Sequence, residues 1–413
     1  MRLLYTIGIV CYTLGIRAAA LFGHAKARLM VQGWKAAHGG WSTGDGGCAW
    51  FHAASLGEFE QARPVLEAYR RRHPDSKVLV TFFSPSGYEV RKDYAGADAV
   101  LYLPPDLPRR VHRFLDTYRP TTAFFVKYEF WYNYLDQLQR RSIPTYIFSA
   151  IFRPGQYFFK PYGRWFLRQA GRCFTHLFVQ NGESLDLLRR HGIGHASLAG
   201  DTRFDRVHQI ALAAERDTMV EQWKAAAPES KTLIAGSSWP PDEELLERYL
   251  HDNPRGLRLV LAPHVISEEH LASIVQRFRC RVVRYSALAT GGAPAEADRV
   301  LLVDNIGLLS KLYRYADVAY IGGGFGAGIH NTLEAVTFGK PVLFGPKYGK
   351  FQEAVDLIAL GGGWSHHDYP TLASHLTPLL TDPAALAKAS EACLTYMRQN
   401  LGSTDTILDT IEH

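Results

Sequence analysis

From Cys48 onward the chain alternates short runs of β-branched and aromatic residues with amphipathic stretches, and this constrains its fold more than any other feature. Continuous apolar runs suit strands buried on both faces, and intervening helical stretches predict parallel sheets covered by helices. In the first half the candidate strands are 49–53, 78–83, 100–103, 123–126, 145–148, 176–179 and 197–200. Between them, 107–119 carries Val111, Phe114, Leu115 and Tyr118 near one helical face. A second series follows at 232–235, 257–262, 282–285, 300–303, 318–321 and 342–344, and the tail from Pro383 reads as one or two helices. Polar and alanine-rich sequence over 205–230 carries no strand signal and suits a connection. A length of 413 residues exceeds what one core supports. The expected divisions are an N-terminal segment 1–44, a domain 45–205, a connection 206–230 and a domain 231–413. The fold class is α/β, with two doubly wound, Rossmann-like domains facing across a cleft lined by the carboxyl ends of both sheets.

The formal charge of +6 suggests nucleic acid until its location is considered. The first acidic residue is Asp45, and Arg2, Arg17, Lys26, Arg28 and Lys35 precede it; removing those five from 46 basic residues leaves 41 against 40 acidic ones. The body is nearly neutral and the excess sits on a short N-terminal arm, which argues against a nucleic-acid groove and for an anionic membrane surface. The segment 3–22 is mostly apolar but is interrupted by Gly8, Gly15 and Arg17, so its unbroken part is short for a bilayer crossing. It reads as a membrane-associated helix, with a signal peptide or an ordinary buried first helix as the alternatives. The cysteines Cys11, Cys48, Cys173, Cys280 and Cys393 are odd in number and far apart, suggesting neither a disulfide framework nor a zinc site.

Four constellations carry possible chemistry. In His52-Ala-Ala-Ser55-Leu-Gly57-Glu58, at a strand-to-helix junction, Glu58 is either a dipole-complementing first-turn carboxylate or a general base. The helix dipole would weaken it as a base, so catalysis needs burial or another influence to raise its pKa. In Lys127-Tyr128-Glu129-Phe130-Trp131, Glu129 stands among aromatic residues at a strand end, where a carboxylate needs a partner such as Lys127 or a helix cap. In Gly200-Asp-Thr-Arg203-Phe-Asp205, Arg203 either holds a phosphate or carboxylate or pairs with Asp201 or Asp205. Last, Gly322-Gly-Gly-Phe-Gly326-Ala-Gly328-Ile-His330-Asn331-Thr332-Leu333-Glu334 is a glycine loop after a strand, expected to lead into a phosphate-cradling helix with Glu334 one turn inside. It matches no Walker pattern. The segment 152–172 places Arg153, Lys160, Arg164, Arg168 and Arg172 among seven aromatic residues without an acid, which fits a phosphorylated amphiphile or a solvated basic face over an aromatic core. His366-His367-Asp368 reads as an exposed turn, and Asp242-Glu243-Glu244 as a helix first turn.

Together, Ser55-Leu-Gly57-Glu58, Tyr128-Glu129-Phe130-Trp131, Gly200 to Asp205, Ala262-Pro263-His264 and His330-Asn331-x-x-Glu334 with Gly339-Lys340-Pro341 resemble, in order, the Kdo transferases of lipopolysaccharide assembly. Phe82 to Gly87 and Ser149 to Arg153 are similar to the branch found in Bacteroidetes. The resemblance implies a GT-B fold and a bacterial inner-membrane enzyme, on the cytoplasmic face, that transfers Kdo from CMP-Kdo to a lipid A precursor with inversion. No cofactor or active-site metal is implied. It makes Glu58 the general base, has Glu129 and Arg203 stabilise the transition state, and gives CMP binding to Pro263, His264, Ile306, Gly307, Leu308, Asn331, Thr332, Leu333 and Glu334. Two positions depart from the family's common pattern: His264 stands where many members have Arg, and Arg203 where many have Lys. A UDP-sugar epimerase or other transferase on the same scaffold is the competing enzymatic reading, and an inactive membrane-tethered nucleotide-sugar-binding protein is the non-enzymatic one.

Overall fold

The computed structural model describes residues 2–36, 41, 43 and 46–412. The chain divides into two compact units, one of residues 1–206 and 401–413, the other of 207–400. The expected boundary at 44 and 45 lies outside the described residues.

The first unit carries β1 (Cys48–Ala53), β2 (Val78–Phe82), β3 (Ala99–Tyr102), β4 (Pro120–Val126), β5 (Thr145–Ala150), β6 (His176–Val179) and β7 (Ala196–Leu198). They form one sheet in the order β3-β2-β1-β4-β5-β6-β7, parallel throughout. The register sets Phe51 beside Val80 on one side and Phe124 on the other. Helices cover both faces, so the unit has two apolar layers. One is built on Trp50, Phe114, Phe125 and Tyr134. The other is built on Phe51, Phe59, Val65 and Phe124. The helix Pro108–Tyr118 buries Val111, Phe114, Leu115 and Tyr118, the face expected from their spacing.

The second unit carries β8 (Lys231–Ser238), β9 (Leu257–Pro263), β10 (Arg281–Arg284), β11 (Asp298–Leu302), β12 (Val318–Ile321), β13 (Val342–Phe344) and β14 (Gly363–Ser365). Their order is β10-β11-β9-β8-β12-β13-β14, again parallel. β14, three residues opening on glycine, had no sequence signal. In each sheet the strand order reverses near the middle, between β1 and β4 and between β8 and β12, and in the second sheet the outer pair is also exchanged, with β11 lying between β10 and β9. That reversal opens a crevice at the strand carboxyl ends.

Two segments depart from expectation. Instead of a plain connection, 206–230 holds most of the helix Thr202–Ala213 and the helix Thr218–Ala225. The last helix, Ser403–Glu412, groups with the first unit, not with the domain 231–413. Asp205 explains this: it accepts hydrogen bonds from Gly402 N at 2.8 Å, Thr404 N at 2.7 Å and Thr404 Oγ1 at 2.6 Å, capping that helix from afar. Ile407 and Leu408 then enter the Phe51 layer, and Arg72 pairs with Asp405, Asp409 and Glu412.

At the other end, α1 (Arg2–Leu21) and α2 (Ala25–Ala36) lie on the first unit. α1 is long and apolar enough to cross a bilayer by length and composition. It is nonetheless docked along one side. Its partly or fully covered positions, Arg2, Tyr5, Thr6, Ile9, Thr13 and Ile16, recur at helical spacing. The Tyr5 hydroxyl donates to buried Asp106 at 2.7 Å, Arg2 pairs with Asp136 at 2.9 Å, and the Tyr12 ring stacks on Phe83.

Candidate active site

In the first unit the candidate residues follow β1 and β4, the two strands flanking the reversal. Ser55 caps α3 (Leu56–Arg72), its side chain accepting from Glu58 N. Glu58 Oε2 reaches back to accept from Ala54 N at 2.6 Å. This reciprocal cap fixes the carboxylate at the sheet edge. Glu58 is 9% exposed. Burial, and then the charge of Glu129, push its carboxyl above the ordinary range, against the opposing pull of Lys127 and the Ala54 N–H. The counterweight to the helix dipole that catalysis required is therefore present.

Glu129 is held by aromatic neighbours. It accepts from Trp131 Nε1 at 2.8 Å and lies 3.6 Å from His52 Nε2. Fully buried His52 has Nδ1 2.9 Å from Thr81 Oγ1 and 3.1 Å from the Thr81 carbonyl, and Nε2 3.0 Å from Trp131 Nε1. With Nδ1–H donating to that carbonyl, Nε2 accepts from Trp131, whose one N–H then serves both His52 and Glu129. Phe83 packs on Trp131 at 4.8 Å between ring centroids. Lys127 adopts φ 60 and Ser149 φ 49, left-handed backbone uncommon for such residues, at the ends of β4 and β5.

Arg203 takes the partner that spacing offered. Its Nε donates to Asp201 Oδ2 at 2.8 Å and its N–H to Asp201 Oδ1 at 3.0 Å, while Gln61 of α3 donates to the same Oδ1 at 2.8 Å. Asp205, the other candidate partner, caps the last helix instead.

The second unit repeats the placement after β8, β9 and β12. Trp239 follows β8, His264 follows β9, and His330 ends the glycine loop after β12. Their rings form one stack, 4.8 Å from Trp239 to His264 and 4.6 Å from His264 to His330. Pro263 is the last residue of β9. The helix expected after the glycine loop is a single turn, Leu333–Val336, so it offers no long dipole. Asn331 organises it instead, its Oδ1 accepting from Leu333 N and its Nδ2 donating to Glu334 Oε1, both at 3.1 Å. Burial pushes the Glu334 carboxyl up, with the Asn331 bond opposing. The Thr332 hydroxyl is buried without a partner among the described residues. Ile306 is 91% exposed in a turn with Gly307 at φ 94. That turn leads directly to Leu309 and Tyr313, which pack on Gly236 of β8 so closely that a Cβ there would lie 2.0 Å from the Tyr313 hydroxyl. The 306–308 turn thus reaches the same sheet edge.

Residues that sequence reading passed over hold these groups in place. Asp242, read only as a helix first-turn acid, is fully buried and accepts from Trp239 N at 2.9 Å, Gly323 N at 3.0 Å and Tyr320 Oη at 2.8 Å. It pins the glycine loop to β8. His366, expected in an exposed turn, is 1% exposed, with Nε2 3.2 Å from Tyr320 Oη. The aromatic residues of 152–172 divide: Phe152, Phe158 and Phe159 enter the core, whereas Tyr162 is 75% exposed. The five basic residues there are exposed, matching a solvated face over an aromatic core. Among the described residues no group of three or more His, Cys, Asp and Glu is arranged to hold a metal.

A family model described as 3-deoxy-D-manno-octulosonic-acid transferase (kdotransferase) matches residues 24–206. The 3-deoxy-D-manno-octulosonic acid transferase of Bordetella pertussis is 28% identical over 377 residues, covering 88% of this chain and 86% of its own. That of Haemophilus influenzae is 24% identical over 381 residues, covering 87% and 86%, and that of Aquifex aeolicus 25% over 342, covering 81% and 86%. Among solved structures, the UDP-GlcNAc 2-epimerase of Neisseria meningitidis bound to UDP-GlcNAc superposes with a TM-score of 0.61 at 16% identity, over 88% of this chain and 99% of that one. At that identity the likeness is one of fold alone. The sequence matches share one name, and over most of its length the chain is similar to the 3-deoxy-D-manno-octulosonic acid (Kdo) transferases.

Proposed function

We propose that this enzyme transfers Kdo from CMP-Kdo to a hydroxyl of a lipid A precursor such as lipid IVA. It would act at the cytoplasmic face of a bacterial inner membrane, with inversion, without a cofactor or metal in the reaction. The observation that carries the mechanism is Glu58: a buried carboxylate at a sheet reversal, its proton affinity raised by burial and by Glu129. Such a group takes a proton near neutral pH more effectively than an ordinary carboxylate.

In this reading Glu58 removes the proton of the acceptor hydroxyl as its oxygen attacks the anomeric carbon. The bond from that carbon to the CMP phosphate oxygen breaks, and CMP leaves with the electron pair. Arg203, oriented by Asp201, offers a cation to the departing phosphate or to the Kdo carboxylate. Glu129, fixed by Trp131, raises the proton affinity of Glu58 and orients the acceptor. CMP falls to the second unit. Pro263 and His264 border the base or phosphate, the 306–308 turn closes one side, and Asn331 to Glu334 present a carboxylate suited to ribose hydroxyls.

The test is turnover. Purified protein incubated with CMP-Kdo and lipid IVA should give a lipid product heavier by one or more Kdo units in mass spectrometry. Turnover of UDP-sugars in place of CMP-Kdo would overturn the reading in favour of the epimerase-like alternative.

A further inference from the structure

Beside α1 the first unit opens a groove of about 880 Å³ whose lining includes Arg17, Arg28, Lys35, Arg109, Arg110 and Arg113 and no acidic residue. Three separate elements, α1, α2 and the helix Pro108–Tyr118, supply these six cations. No ion pair joins any of them to a carboxylate among the described residues. Arg110 is pulled below the ordinary arginine range by burial and by facing Arg17. Like charges gathered this way are unfavourable without an anion. Trp34 also lines the groove, and its buried indole N–H has no acceptor among the described residues.

The groove adjoins an uncovered apolar face. On α1, flanking the docked positions, Leu3, Ile7, Val10, Leu14 and Leu21 recur at helical spacing and are 72%, 48%, 39%, 57% and 85% exposed, and Phe22 just beyond is 92% exposed. Arg17 falls on this same line and turns into the groove. Cations beside a bare apolar stripe match a lipid at the boundary between headgroup and acyl chains; a nucleic acid would leave the stripe in water.

We infer that this groove binds the phosphate headgroup of an anionic glycerophospholipid while α1 lies in the bilayer surface with its Leu3 to Phe22 face among the acyl chains. α1 is therefore a monotopic contact and not a crossing: the bonds of Arg2 and Tyr5 to Asp136 and Asp106 keep the helix against the body. The inference rests on the membrane attachment proposed above and not on sugar transfer.

The experiment is sedimentation of the full chain with phosphatidylcholine vesicles, with and without phosphatidylglycerol. The parent protein should bind the anionic vesicles more tightly. The double variant Arg109→Glu/Arg113→Glu, on an exposed helix face, should bind them roughly tenfold or more weakly. Arg216→Glu/Arg279→Glu, exposed in the second unit, should bind as the parent does. Equal binding by all three proteins overturns the groove and leaves membrane attachment standing, whereas no vesicle binding by the parent overturns both. Inorganic phosphate at millimolar concentration should not displace the parent; full displacement would show a site for soluble phosphate and overturn the lipid assignment. Transfer from CMP-Kdo to detergent-dispersed acceptor should be unchanged in Arg109→Glu/Arg113→Glu, and its loss would show that the groove belongs to the reaction instead.

Discussion

Replacing Glu58 with glutamine separates catalysis from architecture. The amide oxygen of glutamine can still accept from Ala54 N, now 2.6 Å from the carboxylate, so the reciprocal cap of α3 survives. The substitution also removes a buried charge that faces Glu129. Losing a charged acceptor and losing a repulsive, desolvated charge act in opposite directions, so stability should change by no more than about 1 kcal/mol. The activity should change far more. A positioned general base contributes roughly 10²- to 10⁴-fold, and at 1.36 kcal/mol per decade this is about 3–5 kcal/mol of barrier. The assay is kcat/KM for Kdo transfer across pH, beside a urea unfolding curve. In the parent protein Glu58 must be unprotonated, so the rate falls as pH drops through a pKa above the ordinary carboxylate range, as the upward shift requires. Glu129→Gln removes the like charge and should move that acid limb to lower pH. Transfer by Glu58→Gln within tenfold of the parent, at unchanged stability, would refute the assignment of the base. An acid limb unmoved in Glu129→Gln would refute the coupling of the two carboxylates.

Asp205→Ala leaves three donors at residues 402 and 404 without their acceptor, which should loosen the last helix by about 1–3 kcal/mol. Amide hydrogen exchange over 403–412 would rise ahead of the rest of the first unit, and unchanged exchange would contradict the capping role. Asp106 is pushed up to about 6 by burial, above the ~3.9 of an unfolded chain. Between those values the folded state binds the proton more tightly, so this group's contribution to stability falls as pH rises from about 4 through 6. Asp106→Asn should flatten that slope in urea midpoints measured across the interval; an unaltered slope would discount the group. His264→Ala opens the ring stack between Trp239 and His330 and should raise the CMP dissociation constant several-fold to tenfold, about 1 kcal/mol for a lost ring contact. Calorimetry with CMP reads this directly, and an unchanged constant would remove His264 from the nucleotide site.

Much of the architecture was legible because parallel strands buried on both faces leave compact apolar signatures. β4, with Ala123, Phe124, Phe125 and Val126 in one run, and β12, with Val318 to Ile321, are recognisable without any knowledge of their neighbours. β14 was not, because Gly363, Trp364 and Ser365 carry too little β signal and form a strand only by pairing with β13. The destination of the last helix was hidden for a related reason: its cap, Asp205, stands nearly two hundred residues earlier in the chain. At the site, the spacing placed Glu58 and Glu129 at strand ends, and the sheet order brought those ends side by side. Sequence could not show that Trp131 would hold Glu129 beside His52, since that arrangement depends on the packing of β1 against β4. His366 and Asp242 misled in the opposite direction. Polar residues in a polar run look solvated, and only Tyr320, a buried phenol needing partners, draws both inside.

The rings of Tyr12, Phe83 and Trp131 run from the helix on the flank to the carboxylate of Glu129 without a flexible link. If α1 rests in the lipid surface as proposed, that ladder would work as a standoff gauge, holding the chemistry at a set altitude above the acyl chains. An acceptor anchored in the bilayer would present its sugar alcohol at a height fixed by its own headgroup. Selection would then depend on matching two heights as much as on recognising a sugar, and padding or trimming the ladder at Phe83 would retune which headgroups come within reach.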